Sequence, residues 1–126
     1  MDTTLKKKKV LVVEDDRDLI KVIEIGLNVL GYESIVSMDG KQAVRMAAEE
    51  KPDLITMDIN MPEIDGFEAV RLIRQNPETR SIPVLALTAN AFFKDRTECL
   101  QSGFDDYLAK PFSRKQLAEH IKNLLG

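Results

Sequence analysis

At 126 residues with 44% hydrophobic and 31% charged side chains, the chain has the composition of one folded domain and not of a disordered segment. Its net charge of −3 argues against a nucleic-acid partner, whose electrostatic footprint is basic. No apolar stretch approaches the roughly 20 residues of a membrane span, and the N-terminus lacks the long apolar region of a secretory leader. A lone cysteine, Cys99, cannot close an internal disulfide, so a reducing cytoplasmic setting is expected, with no membrane insertion.

In chain order, Lys6–Lys7–Lys8–Lys9 read as solvated lysines leading into a strand, in preference to a phosphate or membrane-surface contact. Val10–Val13 is a nearly continuous apolar run, as in a strand covered on both faces. A helix follows from Asp16 or Asp18 as cap to Leu30, with Leu19, Ile20, Ile23, Leu27 and Leu30 inward and Gly31 as its stop. Ser34–Met38 is a weaker strand. The next helix runs from Gly40 to about Glu50 behind an Asp39 cap, with Ala43, Val44 and Ala47 inward and Pro52 closing it. Leu54–Met57 is the third strand; a helix from Asp65 to about Gln75 then buries Phe67, Val70 and Ile73 before Pro77. Val84–Leu87 is the fourth strand, and a helix from Ala91 to Ser102 ends at Gly103. Tyr107–Ala109 is the fifth strand, and Ser113–Leu125 is a helix with Leu117, Ile121, Leu124 and Leu125 as its stripe.

Five strand–helix units predict a parallel sheet with helices on both faces, because each crossover returns right-handed. They account for the whole of 1–126, so a single domain without an output domain is expected. Ligands of such sheets gather at the carboxyl ends of the strands. There the first run ends in Glu14–Asp15–Asp16, the third in Asp58, the fourth in Thr88 and the fifth in Lys110–Pro111. Two carboxylates about 4 Å apart near a surface repel by roughly 4 kcal/mol, so the cluster calls for a counter-charge. Mg²⁺ suits it, needing only one or two carboxylates and keeping waters that a phosphate oxygen can replace. Asp58 is then the nucleophile toward phosphorus, with Mg²⁺, the Lys110 ammonium and the Thr88 hydroxyl around the phosphoryl oxygens. Pro111 fixes the loop after Lys110.

Val10–Leu11–Val12–Val13–Glu14–Asp15, Met57–Asp58–Ile59–Asn60–Met61–Pro62–Glu63–Ile64–Asp65–Gly66, Leu87–Thr88–Ala89 and Tyr107–Leu108–Ala109–Lys110–Pro111–Phe112 occur in an order and spacing that resembles the receiver domains of response regulators, over the whole chain. The resemblance implies a flavodoxin-like (βα)5 three-layer sandwich with parallel strand order 2-1-3-4-5. It implies that Asp58 takes a phosphoryl group from a histidine kinase or histidine phosphotransfer protein. Mg²⁺, for which Mn²⁺ can substitute, would be held by Asp15, Asp58 and the Asn60 backbone carbonyl, with Glu14 joined through water. Glu14 stands where the family more often has Asp. Thr88 and Tyr107 form the switch that reshapes the face of the fourth helix, fifth strand and fifth helix for a downstream protein. The resemblance also implies that Asn60 and Asn90 tune the lifetime of the phosphoryl group and that Pro62, Gly66 and Pro111 set loop geometry. The chain is expected to be no enzyme beyond catalysing its own phosphorylation and dephosphorylation.

A haloacid-dehalogenase-type aspartyl phosphatase is the competing enzyme reading, but it needs an acid two residues after its nucleophile. Asn60 stands there and cannot exchange a proton at neutral pH. A flavin or nucleotide module needs glycines or hydroxyls after the first strand to cradle phosphate, and three acids occupy that loop. Phe92–Phe93 offers a partner contact or helix packing, His120 and Cys99 read as surface or packing residues, and Leu85–Asn90 and Gly103–Leu108 look most like receivers of hybrid kinases. The initiating Met1 leans toward a free-standing regulator.

Overall fold

A computed structural model of the protein describes residues 7–61, 63–89 and 93–126, the side chains of 93–96 excepted. The elements run β1 (Lys9–Val13), α1 (Arg17–Val29), β2 (Glu33–Ser37), α2 (Gly40–Glu50), β3 (Leu54–Asp58), α3 (Gly66–Gln75), β4 (Val84–Thr88), α4 (Phe93–Ser102), β5 (Asp106–Ala109) and α5 (Arg114–Leu125). All strands are parallel in the order β2-β1-β3-β4-β5. The chain therefore leaves β1 for one side, returns to β3 on the other, and creates its switch point between those two strands.

Alternating residues of the buried strands point to opposite faces, which produces two apolar layers. Leu11, Val13, Ile55, Met57, Val84 and Ala86 pack with Ala43 and Ala47 of α2, Val70 and Ile73 of α3 and Cys99 of α4. Val10, Val12, Leu54, Leu85, Leu87 and Leu108 pack with Ile23 and Leu27 of α1 and Leu117 and Ile121 of α5. Asp16, Asp39, Asp65 and Ser113 cap their helices through side-chain oxygens; Asp16 and Asp39 are the expected caps, while Asp65 and Ser113, expected as first helical residues, stand one residue outside. Differences from the predicted bounds are small. β2 begins one residue early, at Glu33, which pairs with Lys9; Met38 falls in the loop to the α2 cap. β5 gains Asp106 through its register with Leu85. Among the described residues no helix is long and apolar enough to cross a membrane.

One polar atom sits inside the α1/α5 layer at a cost. Thr56 lies between Val12 and Leu85 in the sheet, is wholly buried, and its hydroxyl has no hydrogen-bond partner among the described residues. A buried unpaired hydroxyl costs about 1–3 kcal/mol, so Thr56→Val is expected to raise stability by about 1 kcal/mol. A urea midpoint that rises with unchanged slope checks this; an unchanged or lower midpoint means the hydroxyl is satisfied.

Candidate functional site

Glu14 immediately follows β1 and donates its N–H to the Ser37 carbonyl at 3.0 Å, extending the β1–β2 ladder by one bond. That alignment turns the side chain into the crevice, where it is 1% exposed. Asp58, the last residue of β3, is 5% exposed beside it, and its Oδ1 accepts the Asn60 N–H at 3.0 Å. The Lys110 ammonium bridges the two acids, with Nζ 3.1 Å from Glu14 Oε1 and 3.3 Å from Asp58 Oδ2. Its own backbone N–H bonds the Thr88 carbonyl at 2.6 Å, which ties the β5–α5 loop to the end of β4. The Lys110–Pro111 peptide is cis.

One carboxylate oxygen each from Glu14, Asp15 and Asp58 lie within 4.8 Å of one another. The third consecutive acid does not join them. Asp16 adopts extended backbone and spends its Oδ1 on the N–H groups of Asp18 and Leu19 at the start of α1. The electrostatics follow from this packing. Burial, then the charge of Asp58, push the Glu14 carboxyl up to about 7, against the opposing pull of Lys110 and of the Asp16 N–H. Burial pulls the Lys110 ammonium down, but its hydrogen bond to Glu14 and the charges of Glu14 and Asp58 leave it above the ordinary lysine range. Among the described residues the Lys110 ammonium pairs with two of the three clustered carboxylates, Glu14 and Asp58. The donors are hard oxygens in a compact set, and the excess negative charge fits a small divalent cation such as Mg²⁺.

The remaining predicted residues fall around this centre. Thr88 ends β4, nearly fully buried, and pairs in register with Ala109. Tyr107 pairs with Ala86, two residues before Thr88, so both side chains share the α3/α4 face of the sheet. Tyr107 packs half-buried on the apolar layer there. Gly66 starts α3 with its N–H on the Ile59 carbonyl at 2.8 Å; a Cβ there would lie 2.8 Å from Ile59 Cα and 3.0 Å from the Asp58 carbonyl. Pro62, Asn90, Ala91, Phe92 and Lys6 lie outside the described residues, as does the side chain of Phe93. Lys9 is no free surface charge: its N–H bonds Asp53 Oδ2 and its ammonium pairs with Glu50. Cys99 is buried packing. His120 is away from the cluster, yet it makes a contact the sequence did not announce, Nδ1 to Asp106 Oδ2 at 2.6 Å.

The model of the response regulator receiver domain matches residues 10–122. The chain belongs to that family. The receiver domain is 42% identical over 125 residues to the transcriptional regulatory protein PrrA of Mycobacterium tuberculosis, covering 99% of this chain and 53% of that protein. It is 37% identical over 118 residues to the alkaline phosphatase synthesis transcriptional regulatory protein PhoP of Bacillus subtilis, covering 94% of this chain and 48% of the other. The chain thus spans about half the length of the curated relatives it matches. Among solved structures it is similar to the receiver domain of the sensor histidine kinase PA1611 from Pseudomonas aeruginosa, at 44% identity and TM-score 0.89 over 96% of this chain and 99% of that one. The Vibrio cholerae chemotaxis protein CheY4 gives TM-score 0.89 at 30% identity, over 95% of this chain and 100% of the other. The flavodoxin-like fold and two-component signalling class are those the resemblance implied, and nothing in these relatives supports a dehalogenase-type phosphatase. Receiver domains take phosphate from histidine kinases and act on downstream partners.

Proposed function

We propose that Asp58 of this receiver domain is the phosphoryl acceptor and that its modification switches a protein-binding face. The observation that carries the reading is the buried Asp58 carboxylate held between the Asn60 N–H and the Lys110 ammonium, with Glu14 and Asp15 alongside. An Asp58 oxygen attacks phosphorus of a partner's phosphohistidine; the new P–O bond forms as the P–N bond breaks and the imidazole leaves. Asp15, Asp58 and the Asn60 backbone carbonyl would hold Mg²⁺, with Glu14 through water and Mn²⁺ as a substitute. The structure solved for the PA1611 receiver carries a magnesium ion in its active site cleft, which supports the assignment. When bound, the cation supplies positive charge to the acidic crevice and the phosphoryl oxygens.

Lys110 moves from pairing with the acids to a phosphoryl oxygen, and the Thr88 hydroxyl donates to another. Such transfers need positioning and charge stabilisation more than covalent help, which these groups provide. Displacement of Thr88 frees room on the face that Tyr107 shares, so the ring turns inward and the surface of α4, β5 and α5 changes for a downstream protein. Asn60 and Asn90 tune how long the phosphoryl group survives, while Pro62, Gly66 and Pro111 shape the loops around it. The donor is a histidine kinase or phosphotransfer protein in the cytoplasm. The chain itself contacts no nucleic acid and acts as a substrate and switch, catalysing only its own modification.

Acetyl phosphate and Mg²⁺, followed by intact mass spectrometry beside Asp58→Ala, test this. One phosphoryl adduct is expected on the parent, abolished by prior chelation and missing in the variant. An unmodified parent that also traps no beryllium fluoride would leave a phosphorylation-independent binding module instead.

A further inference from the structure

The β2–α2 corner gives no carboxylate to the acidic cluster, yet it touches both walls of it. On one side the Ser37 carbonyl accepts the Glu14 N–H at 3.0 Å. The corner is held by its own bonds: Ser37 Oγ donates to the Asp39 carbonyl at 2.7 Å, and Asp39 Oδ1 accepts the Gln42 N–H at 2.6 Å. On the other side stands Gly40, buried at the first position of α2. A Cβ on Gly40 would lie 2.6 Å from the Ile64 carbonyl oxygen and 2.9 Å from Ile64 Cγ1. Gly40 is not among the residues with positive φ, so space, and not backbone conformation, is what requires a glycine there.

Ile64 belongs to the segment between β3 and α3, the same segment whose Asn60 N–H fixes Asp58 Oδ1. Gly66 lies against Asp58 and Ile59, and Gly40 lies against Ile64, so both ends of that segment meet a glycine at close quarters. In that segment Glu63 sits at φ 66, a left-handed conformation that costs a non-glycine residue of order 1 kcal/mol and persists only where its surroundings hold it. The start of α2 is thus packed directly against Ile64.

We propose that Gly40 is a positioning residue of the acidic centre: its missing side chain seats α2 on Ile64 and so sets where Asn60 and Asp58 stand relative to Glu14 and Asp15. The inference rests on the reading of that centre as a divalent-cation site. An alanine at 40 displaces the Ile64 backbone, because an oxygen of the main chain cannot swing aside as a side-chain tip does. Coupling of this kind is reciprocal, so cation binding must also tighten the start of α2.

Mg²⁺ titration of the full chain by calorimetry, without any phosphodonor, reads the effect directly. Gly40→Ala is expected to bind Mg²⁺ about tenfold more weakly than the parent, the scale on which supporting residues act on a metal site. Gly26→Ala, whose Cβ meets only Leu117 Cδ2 at 4.0 Å, is the control and keeps the parent's affinity. Amide hydrogen exchange of the parent needs no variant to fold: Mg²⁺ is expected to slow the Gln42 and Ala43 amides, which bond Asp39, and to leave those of α5 unchanged. Equal affinity of folded Gly40→Ala and parent, or exchange at Gln42 and Ala43 indifferent to Mg²⁺, overturns the positioning role while the cation site stands. A parent that binds no Mg²⁺ overturns the cation reading itself.

Discussion

In the presence of chelator at pH 8, Glu14→Gln is expected to unfold at a higher urea concentration than the parent, with about 2–3 kcal/mol more stability. Burial and the neighbouring Asp58 raise the Glu14 carboxyl from 4.5 to about 7 in the folded chain. A raised acid binds more protons folded than unfolded, so its ionisation penalises folding increasingly as pH climbs from 4.5 through 7, and fully above it. At 1.36 kcal/mol per pH unit the whole shift corresponds to about 3 kcal/mol, an upper figure because the amide gives up its charge contact with Lys110. Below pH 5 the parent carboxyl is protonated and resembles the amide, so the difference should shrink toward zero. Saturating Mg²⁺ is expected to reverse the order, since a proton and the cation compete for the same crevice. A parent as stable as the variant at pH 8, or a gap of the same size at pH 5, would contradict the assignment.

Arg74→Ala is expected to cost about 3 kcal/mol, larger than any surface substitution, with a melting temperature lower by roughly 10 °C. Arg74 stands in the last turn of α3 and is a hub of hydrogen bonds there. Its Nε donates to the Gly103 carbonyl at 2.9 Å, Nη1 to the carbonyls of Arg80 and Ile82 at 2.8 and 2.7 Å, and Nη2 to Asp105 Oδ2 at 2.7 Å. That same Asp105 oxygen accepts the Val84 N–H at 2.8 Å, so the guanidinium joins α3, the entry to β4 and the entry to β5. A lysine carries the charge without the planar fork, so Arg74→Lys should recover less than half of the loss. Recovery of full stability by lysine would reduce the interaction to simple charge.

Arg74 also marks where sequence reading ends. In sequence it is an ordinary polar residue in the last turn of an amphipathic helix, and its partners lie as many as 31 positions away. By contrast Glu14, Asp58, Thr88 and Lys110 were legible because each stands at the end of an apolar run and parallel strands bring such ends together. Which of three successive acids joins the centre is not settled by their place at the end of a run; the family resemblance is what points to Glu14 and Asp15. The choice between Asp15 and Asp16 depends on the backbone of Asp16, which turns its side chain to the α1 N-terminus. The burial of Glu14 was not legible; it follows from a single bond to Ser37 across the sheet. Gly40 read as a plain helix start, since a clash with Ile64 exists only once α2 and the β3–α3 segment have packed.

The lysine bridge between two buried acids has a bearing on the order in which visitors arrive. With Lys110 engaged by Glu14 and Asp58, three clustered carboxylates leave the crevice about two charges negative when all are ionised. A phosphorylated donor approaching that doorway alone meets repulsion of a few kcal/mol at short range. On the proposed reading, a bound cation lowers that repulsion before the donor arrives. If Asp58 is the acceptor, ambient cation and acidity would set how readily the signal is heard, separately from whether it has been sent.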